Sequence, residues 1–572
     1  MKKALAALLS ASIALSTPWA QAQVRLPALG DSASEDLSVG AERRLGDQIM
    51  AEIKRDPAYL DDPVLLDYVQ SLWQPLVQAA RERGDVGPEV AQAFSWDIFL
   101  VQDRSVNAFA LPGGHVGVHL GLMAVTATRD ELAAVLAHEL SHVTQRHIAR
   151  SMGSASRQGA LGLAAMLLGV LIASRSSNPD VAQAAIAGGQ AAMIQGQLNF
   201  SRDMEREADR IGFGVFRDAG FATPGMAAMF DKLDQASRLN DSGGFPYLRS
   251  HPLTSERIAE ARSRLAEPSP AAGASAQRST LHALMQSRAR ALMEPTVDQW
   301  RRLLALAQSA PAAGTAAERA GTLYAGALAA ARLGDHRAAA ALHAELNEAL
   351  AQPAAAAKLA PAGRGPAVEQ ADSAGQPASP DVLYSRRASQ LLGAELALAR
   401  SEPGVATAAL ALLQSERTAA SARMERAELL LRGQAIWAAW AKARERGDRG
   451  PDTALRESLE TLQTWVSEHR QDAPAWLLLA QTSDALGLQL RALRAHAEAR
   501  AAVGDLGAAI DRLRAAQARS RTSAAGGDFI EASVIDARLR ELLAQRRQLM
   551  AEMRGQRGGS APRDDRSEDG RE

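Results

Sequence analysis

Two histidines four residues apart, with a glutamate directly after the first, are the part of this 572-residue chain best suited to chemistry. They are His138, Glu139 and His142, in the segment DELAAVLAHELSHVTQRH. Helix positions four apart lie on one face, about 6 Å apart along the axis, so both imidazoles can reach one metal ion. Glu139 then projects beside the ion and can take a proton from metal-bound water. Two neutral imidazoles, a carboxylate and an open water position match catalytic zinc, so we expect one Zn²⁺ per chain.

A catalytic zinc ion needs a third protein ligand, and the chain has no cysteine to supply it. The segment FSRDMEREADRIGF places Glu205 and Asp209 four residues apart on a second predicted helix. In this arrangement Glu205 binds the metal, and Asp209 accepts the remaining N–H of a ligand histidine. The alternative is ordinary ion pairing along the helix with Arg202, Arg206 and Arg210, and spacing alone leaves both interpretations open.

A small sheet and two helices must position these side chains. Residues 96–101 (WDIFLV) form a short β-like piece, and residues 116–120 alternate apolar side chains with glycine and histidine after a turn at Gly113 and Gly114. A helix is predicted from Asp130, capped by Thr128 or by Asp130 itself. The second helix is predicted to begin near Phe200. The histidine pair and the third ligand thus lie on separate helices.

Composition limits the class of protein. Hydrophobic residues make up 47% and charged residues 23%, which is ordinary globular usage and excludes a wholly disordered chain or an integral membrane bundle. The net charge is −1 and no long basic run is present, so nucleic acid is not an expected partner. The absence of cysteine excludes a disulfide framework, a thiolate metal site and a cysteine nucleophile.

The first 22 residues have the three-part layout of a secretory signal peptide. A cationic start at residues 1–3 precedes an apolar stretch at 4–15, and Ala20 and Ala22 supply the small residues before the expected cleavage. We therefore expect an exported protein located in the periplasm, with a buried N-terminal helix as the alternative. The uncharged segment 158–174 is shorter than the about 20 residues of a membrane span. It is expected to be either a buried helix or a helix that contacts a membrane surface.

The chain divides near Glu267, where the composition changes. We predict a zinc metallopeptidase domain at residues 23–266, a linker at 267–278, and a helical domain at 279–553. The helical domain carries a low-complexity insertion at 352–380 and is followed by a disordered charged tail at 554–572. Units such as residues 324–346 place alanines on both sides of a glycine turn and resemble the tetratricopeptide repeat, with a plain helical bundle as the alternative.

The predicted fold class is therefore mainly α. It consists of a zincin-like α+β metallopeptidase domain with a small antiparallel sheet, followed by an α-helical, tetratricopeptide-like solenoid.

Four segments together carry a family resemblance: HELSHVTQRH, SRDMEREADRIG, VNAFALPGG and HPLTSERI. They resemble the zinc endopeptidases related to HtpX and the CAAX prenyl proteases, most of all the periplasmic members of Gram-negative bacteria. The resemblance covers the signal segment, the peptidase domain and, more loosely, the helical half. It implies that zinc is bound by His138, His142 and Glu205, that Glu139 is the general base, and that Asp209 supports the site.

The resemblance also implies that the loop containing His251 approaches the metal. His251 precedes a proline, which favours an extended loop. Its imidazole could fill the water position and hold the enzyme inactive until the loop moves, with a solvent-exposed histidine as the alternative. Arg257 could stabilise the oxyanion or form a surface ion pair. His115, His119 and His147 are expected on the surface of a strand or a helix.

The expected reaction is hydrolysis of peptide bonds. The strand containing Asn107 and Ala108, or its neighbour from Val116, could pair with an extended substrate backbone, which would favour unfolded polypeptides. The resemblance implies that the substrates are misfolded or stalled outer-membrane proteins, with a chaperone-like role in their assembly and contact with the β-barrel-assembly machinery. A non-proteolytic periplasmic chaperone or scaffold is the alternative. Glu139 argues against it, because a structural zinc site needs no base.

Overall fold

The computed structural model describes residues 37–152, 202–239, 247–264, 279–309, 314–351, 379–415, 425–448, 452–522 and 529–558. The predicted signal segment, the uncharged segment 158–174 and the linker 267–278 lie outside these ranges, as does nearly all of the insertion 352–380. No helix within the described ranges combines the length and the apolar character that a membrane span requires.

The peptidase half combines ten helices with four short strands over its described residues. In chain order the elements are α1 (Val39–Ile53), β1 (Tyr59–Leu60), α2 (Pro63–Arg83), α3 (Pro88–Ala93), β2 (Asp97–Val101), β3 (Ala108–Leu111), β4 (His115–His119), α4 (Leu120–Val125), α5 (Arg129–Thr144), α6 (His147–Met152), α7 (Arg202–Asp218), α8 (Pro224–Leu239), α9 (Tyr247–Ser250) and α10 (Ser255–Ser263).

The second half is helical throughout its described residues. Its elements are α11 (Thr280–Leu292), α12 (Val297–Gln308), α13 (Ala316–Arg332), α14 (His336–Ala351), α15 (Pro380–Ala399), α16 (Pro403–Ser415), α17 (Arg426–Glu445), α18 (Asp452–Glu468), α19 (Ala473–Ala485), α20 (Gln489–Ala502), α21 (Leu506–Thr522) and α22 (Phe529–Gly558). The final helix extends into the segment predicted as a charged tail, and the remainder of that segment lies outside the described residues. The predicted fold class, a small-sheet peptidase domain followed by a helical region, is confirmed.

The sheet differs from the prediction in one detail, because it is mixed and not wholly antiparallel. The strand order is β1-β2-β4-β3, with β2 and β4 parallel and the other two pairs antiparallel. The chain leaves β2, forms β3 at the far edge and returns as β4 into the centre. The return turn contains Gly113 and Gly114, which have φ of 76° and 89° and so adopt a backbone region that glycine enters without steric penalty. This hairpin leaves β3 at the edge of the sheet.

Helix α5 is the central element of the peptidase half. Thr128 caps its N-terminus by accepting a hydrogen bond from the backbone N–H of Glu131, one of the two caps expected from the sequence. Every residue from Asp130 to Thr144 is buried, so packing surrounds the helix on all sides. Helix α7 packs closely against it at Gly212, where an added Cβ would lie 3.1 Å from the backbone oxygen of Ala137. The two helices that carry the predicted ligands are therefore neighbours.

Buried ion pairs join the helical half to the peptidase half. Arg288 of α11 donates to both carboxylate oxygens of Asp62, the N-cap of α2, at 2.9 and 2.7 Å, and also pairs with Glu395 of α15. Arg426 of α17 forms a second connection, to the neighbouring carboxylate of Asp61. These contacts connect α11, α15 and α17 of the second half to the start of α2 in the first.

Candidate metal centre

Four side chains from α5, α7 and the segment before α10 meet at one buried point: His138, His142, Glu205 and His251. The two histidines of α5 present their Nε2 atoms to each other at 3.0 Å. His251 places Nδ1 3.3 Å from His138 Nε2 and 3.0 Å from Glu205 Oε1. Glu205 also lies 3.5 Å from the Nε2 atom of each α5 histidine.

These separations are compatible with a tetrahedral zinc site. Ligand atoms that bind a tetrahedral zinc ion at about 2.1 Å lie about 3.4 Å from one another. The five contacts just given span 3.0 to 3.5 Å, and all four ligand atoms lie within 4.8 Å of one another. Three imidazoles and one carboxylate form a donor set that suits zinc. The residues present therefore fit one Zn²⁺ per chain, as the sequence predicted, with His251 as a fourth ligand.

The electrostatics of the cluster favour a cation between the imidazoles and Glu205. Burial acts to lower the pKa of His138, but contacts with Asp209 and Glu205 outweigh burial and raise this pKa to about 10. Burial would raise the pKa of Glu205, yet its contacts with His251 and His138 hold it well below the ordinary value. Burial and the nearby His138 lower the pKa of His142. A bound divalent ion would take the place of the proton that His138 attracts.

Glu139 is placed as a base. It is completely buried, and neither of its carboxylate oxygens makes a hydrogen bond within the described part of the chain. Burial raises its pKa, and the adjacent His251 and His138 oppose that effect. Its Oε1 atom lies 3.5 Å from Nε2 of His251. Since burying a carboxylate without a close hydrogen-bond partner is costly, the position of Glu139 beside the ligand cluster indicates a functional group.

Asp209 and Arg257 form a buried pair behind the ligands. Asp209 Oδ1 lies 3.0 Å from Nδ1 of His138, which is the supporting position expected for it. Arg257 donates to Asp209 at 2.6 and 2.9 Å and to the backbone oxygen of Pro252 at 2.8 Å, and it pairs with Glu205 at 2.9 Å. In the described conformation all three guanidinium nitrogens of Arg257 contact these groups; the ion pairs are buried and not on the surface, and the oxyanion role stays a prediction. Hydrogen bonds from Arg257 and His138 outweigh burial and lower the pKa of Asp209.

The second ligand histidine has a different partner. Nδ1 of His142 lies 2.9 Å from Nδ1 of His147, the first residue of α6. The other ring nitrogen of His147 lies 3.1 Å from Glu207 Oε2, which accepts a hydrogen bond from Arg150 at 2.8 Å. Burial lowers the pKa of His147 to about 4, which keeps the ring neutral near pH 7.

His115 and His119 lie on strand β4, whereas His147 begins α6 but is buried, so the helix-surface position expected for it was wrong. The sequence analysis thus missed His147 and its partner Glu207. A signal was present: a third histidine five residues after the HExxH pair, in HELSHVTQRH. Tyr247 was also missed. It stacks on His251 at 4.7 Å between ring centroids and helps to hold that imidazole at the metal centre.

Only one of the two strands predicted to pair with a substrate backbone lies at the edge of the sheet. Strand β4, which begins beside Val116, has partners on both sides and cannot accept another strand. Strand β3 lies at the edge of the sheet and begins at Ala108. Asn107 precedes it, and its buried Oδ1 atom has no hydrogen-bond partner in the described part of the chain. Of the two candidate strands, only β3 lies at the edge of the sheet, and its residues are largely buried in the described conformation.

Comparison with known proteins places a recognised domain over this centre. The model of Peptidase family M48 matches residues 74–265, which include all four candidate ligands and Glu139.

Three curated relatives illustrate the similarity. A putative beta-barrel assembly-enhancing protease of Vibrio cholerae is 36% identical over 241 residues, covering 42% of this chain and 47% of that protein. The beta-barrel assembly-enhancing protease of Escherichia coli (strain K12) is 35% identical over 267 residues, covering 46% and 52%. The mitochondrial metalloendopeptidase OMA1 of Saccharomyces cerevisiae is 29% identical over 197 residues, covering 33% and 53%. In each case the similarity spans about half of the relative.

Proposed function

We propose that this protein, which carries a Peptidase family M48 domain at residues 74–265, is a zinc-dependent endopeptidase. One observation carries the proposal: a ligand set with tetrahedral zinc spacing lies directly beside Glu139, a buried carboxylate without a hydrogen-bond partner among the described residues. Ligands alone would suit a structural ion, whereas a buried carboxylate next to them suits a general base.

The roles of the residues follow from their positions. His138, His142 and Glu205 would hold the ion. Zinc in this position supplies a Lewis acid that acidifies water and polarises a carbonyl group. Glu139 accepts the proton of the attacking water on its free carboxylate and returns it to the leaving amine. Asp209 fixes the orientation of His138 through Nδ1.

Strand β3 would hold the substrate. It lies at the edge of the sheet, so an extended polypeptide can add to it through backbone hydrogen bonds beginning near Ala108. Asn107 offers an additional acceptor, its free Oδ1 atom, to a backbone N–H. A binding mode of this kind requires an extended chain and therefore selects unfolded segments.

We further propose that the described conformation is a resting state. His251 takes the fourth ligand position, where a catalytic zinc site keeps a place for water. Displacement of the segment 247–253, which precedes α10 and leaves Arg257 in place, would open that position, so the replacement His251→Ala should raise the activity towards unfolded protein. Unchanged activity in this variant would contradict autoinhibition.

For the cellular role, we propose hydrolysis of misfolded or stalled outer-membrane proteins in the periplasm, together with a chaperone-like role in β-barrel assembly. The names of the Vibrio cholerae and Escherichia coli relatives support this proposal. The helical half, proposed as a tetratricopeptide-like surface, would bind substrate or the assembly machinery. The predicted signal peptide would direct export, and segment 158–174 could provide peripheral membrane contact.

A second function remains a candidate because the ligand set is closed. Four protein ligands are typical of a structural zinc site, which would suit a non-proteolytic periplasmic chaperone or scaffold.

Casein digestion by the full chain, with zinc content measured on the same samples, separates the two functions. For the peptidase, the wild type cleaves casein, while Glu139→Gln retains zinc and loses turnover by about 10² to 10⁴-fold. Equal cleavage by both proteins would show that Glu139 is not the base. A zinc-loaded wild type and His251→Ala variant that are both inert would favour the scaffold.

A further inference from the structure

We propose that His147 is a positioning residue for the metal centre, and that together with Glu207 it fixes the tautomer and ring orientation of the zinc ligand His142. The inference rests on the proposed zinc centre and assigns a function to two residues that the proposed reaction does not otherwise use. Two observations support it: the contacts made by the ring nitrogens of both histidines, and the backbone turn that brings His147 to His142.

The two ring nitrogens of His142 face different partners. Its Nε2 atom faces the cluster, 3.0 Å from His138 Nε2, so only Nδ1 is left to carry the ring proton when Nε2 binds a metal. Nδ1 of His147 lies 2.9 Å away, in position to accept a hydrogen bond from that N–H. When Nδ1 of His147 accepts that proton, the ring's own proton lies on Nε2, which is 3.1 Å from Glu207 Oε2. This series of contacts leads from the ligand His142 to the carboxylate of Glu207.

Glu207 is in turn held in place. Arg150, on α6 one turn after His147, donates to Glu207 Oε2 at 2.8 Å. The same oxygen therefore receives an N–H from His147 and another from Arg150. Two donors from α6 thus hold one carboxylate of α7 in place. A carboxylate at this position favours the tautomer of His147 that carries its proton on Nε2.

The backbone before His147 supports a dedicated position. On an uninterrupted helix, a residue five places after His142 would lie about 140° around the axis and point away from it. Helix α5 ends before this point, and Arg146 adopts φ of 51°, a left-handed conformation that residues with a Cβ atom rarely enter. Arg146 is held there by donation to Glu42 at 2.8 Å and to the backbone oxygen of Leu37 at 2.5 Å. The turn directs the imidazole of His147 back onto His142.

The two ligand histidines of α5 are therefore supported differently. His138 contacts the carboxylate of Asp209 directly at 3.0 Å, whereas His142 reaches a carboxylate through a neutral imidazole. Partners of this kind orient the ring and make the ligand nitrogen more basic, and their loss weakens metal binding by about 10 to 100-fold. We expect a loss of that size when His147 can no longer accept the proton of His142.

The test measures zinc affinity of the full chain by competition with a chromophoric chelator. In His147→Leu the acceptor is lost and zinc should bind about 10 to 100-fold more weakly. In His147→Asn the side-chain Oδ1 takes the position of the ring Nδ1, so affinity should stay within about 3-fold of the wild type. The visible spectrum of the Co²⁺-loaded protein should shift in the leucine variant and be restored in the asparagine variant, a rescue that a merely space-filling role of His147 would not give.

Glu207→Ala provides an independent variant if His147→Leu fails to fold, because the Glu207 side chain is 28% exposed and its removal leaves no large cavity. Zinc binding should weaken here too. The matched control is Asp203→Ala on the same helix, which removes an 85% exposed carboxylate paired with Arg206 and should leave zinc affinity unchanged.

Two results would overturn the proposal: zinc affinity of His147→Leu or Glu207→Ala equal to that of the wild type, or an asparagine variant as weak as the leucine variant. Failure of the proposed function looks different. In that case the wild type binds zinc with the expected dependence on His147 but does not cleave casein.

Discussion

Replacing Arg257 with alanine should lower the stability of the folded protein and its affinity for zinc, in addition to any effect on turnover. The guanidinium is 5% exposed and forms four contacts of 2.6 to 2.9 Å, to Asp209, Glu205 and the backbone of Pro252. Its removal leaves two buried carboxylates without their cation. Breaking a buried ion pair from one side costs about 3 to 5 kcal/mol.

The expected loss of stability can be compared with a control on the same helix. Arg262 pairs with Asp231 at 2.6 Å, but its side chain is 58% exposed, so Arg262→Ala should change stability by less than about 1 kcal/mol. Arg257→Lys retains the charge but not the planar fork that reaches three groups at once, and should fall between the wild type and the alanine variant.

The assay is thermal unfolding of the metal-free full chain, followed by zinc titration of each variant. If Arg257 is an anchor, Arg257→Ala unfolds at a lower temperature and binds zinc more weakly, because Asp209 and Glu205 lose their fixed positions. If instead unfolding and zinc affinity match the wild type while kcat falls, Arg257 acts on the oxyanion and the assignment made from its contacts is wrong.

Three further predictions concern other parts of the molecule. Burial raises the pKa of Asp67 to about 7 from an ordinary value of 3.8, so the folded protein binds this proton more tightly than the unfolded chain. The free energy of unfolding should therefore fall by at most about 4 kcal/mol as the pH rises from about 4 to 7. Asp67→Asn should remove this pH dependence in thermal unfolding measured across the same range. Gly212→Val should separate α7 from α5 and weaken zinc binding, which titration would detect; an affinity equal to that of the wild type would show that the helices can accommodate the side chain. Removal of zinc by a chelator should lower the unfolding temperature, because a ligand present at about 1,000 times its Kd stabilises the folded state by about 4 kcal/mol; an unchanged midpoint would contradict a metal bound to the folded state.

The histidine pair was predictable from the sequence because local helix geometry places both rings on one face. His138 and His142 share a helix face through their spacing alone, and the helix cap at Thr128 is a local signal. The contribution of Glu205 was open from spacing, because an acid among arginines has an ordinary explanation on any helix. The family resemblance favoured it as a ligand, and the close packing of α7 on α5 brings its carboxylate to the histidines.

The interactions that were not predicted depend on long-range packing or on a break in regular structure. The contacts of Arg257 could not be predicted, since its partners Asp209 and Glu205 come from another helix and the alternatives differ only in three-dimensional placement. His147 was assigned to a helix surface because nothing in the sequence indicates that Arg146 adopts a left-handed conformation. The parallel pairing of β2 with β4 likewise depends on which strand occupies the sheet edge.

Asp61 and Asp62 make the peptidase half dependent on the sequence that follows it. Each of these adjacent acids is neutralised by an arginine from the helical half, Arg426 for the first and Arg288 for the second. A fragment that stops at residue 266 would leave both charges unmatched and would uncover the apolar surface beneath α11. Truncation should therefore give a poorly soluble product, and the catalytic segment should be recovered in active form only when the downstream helices are synthesised with it.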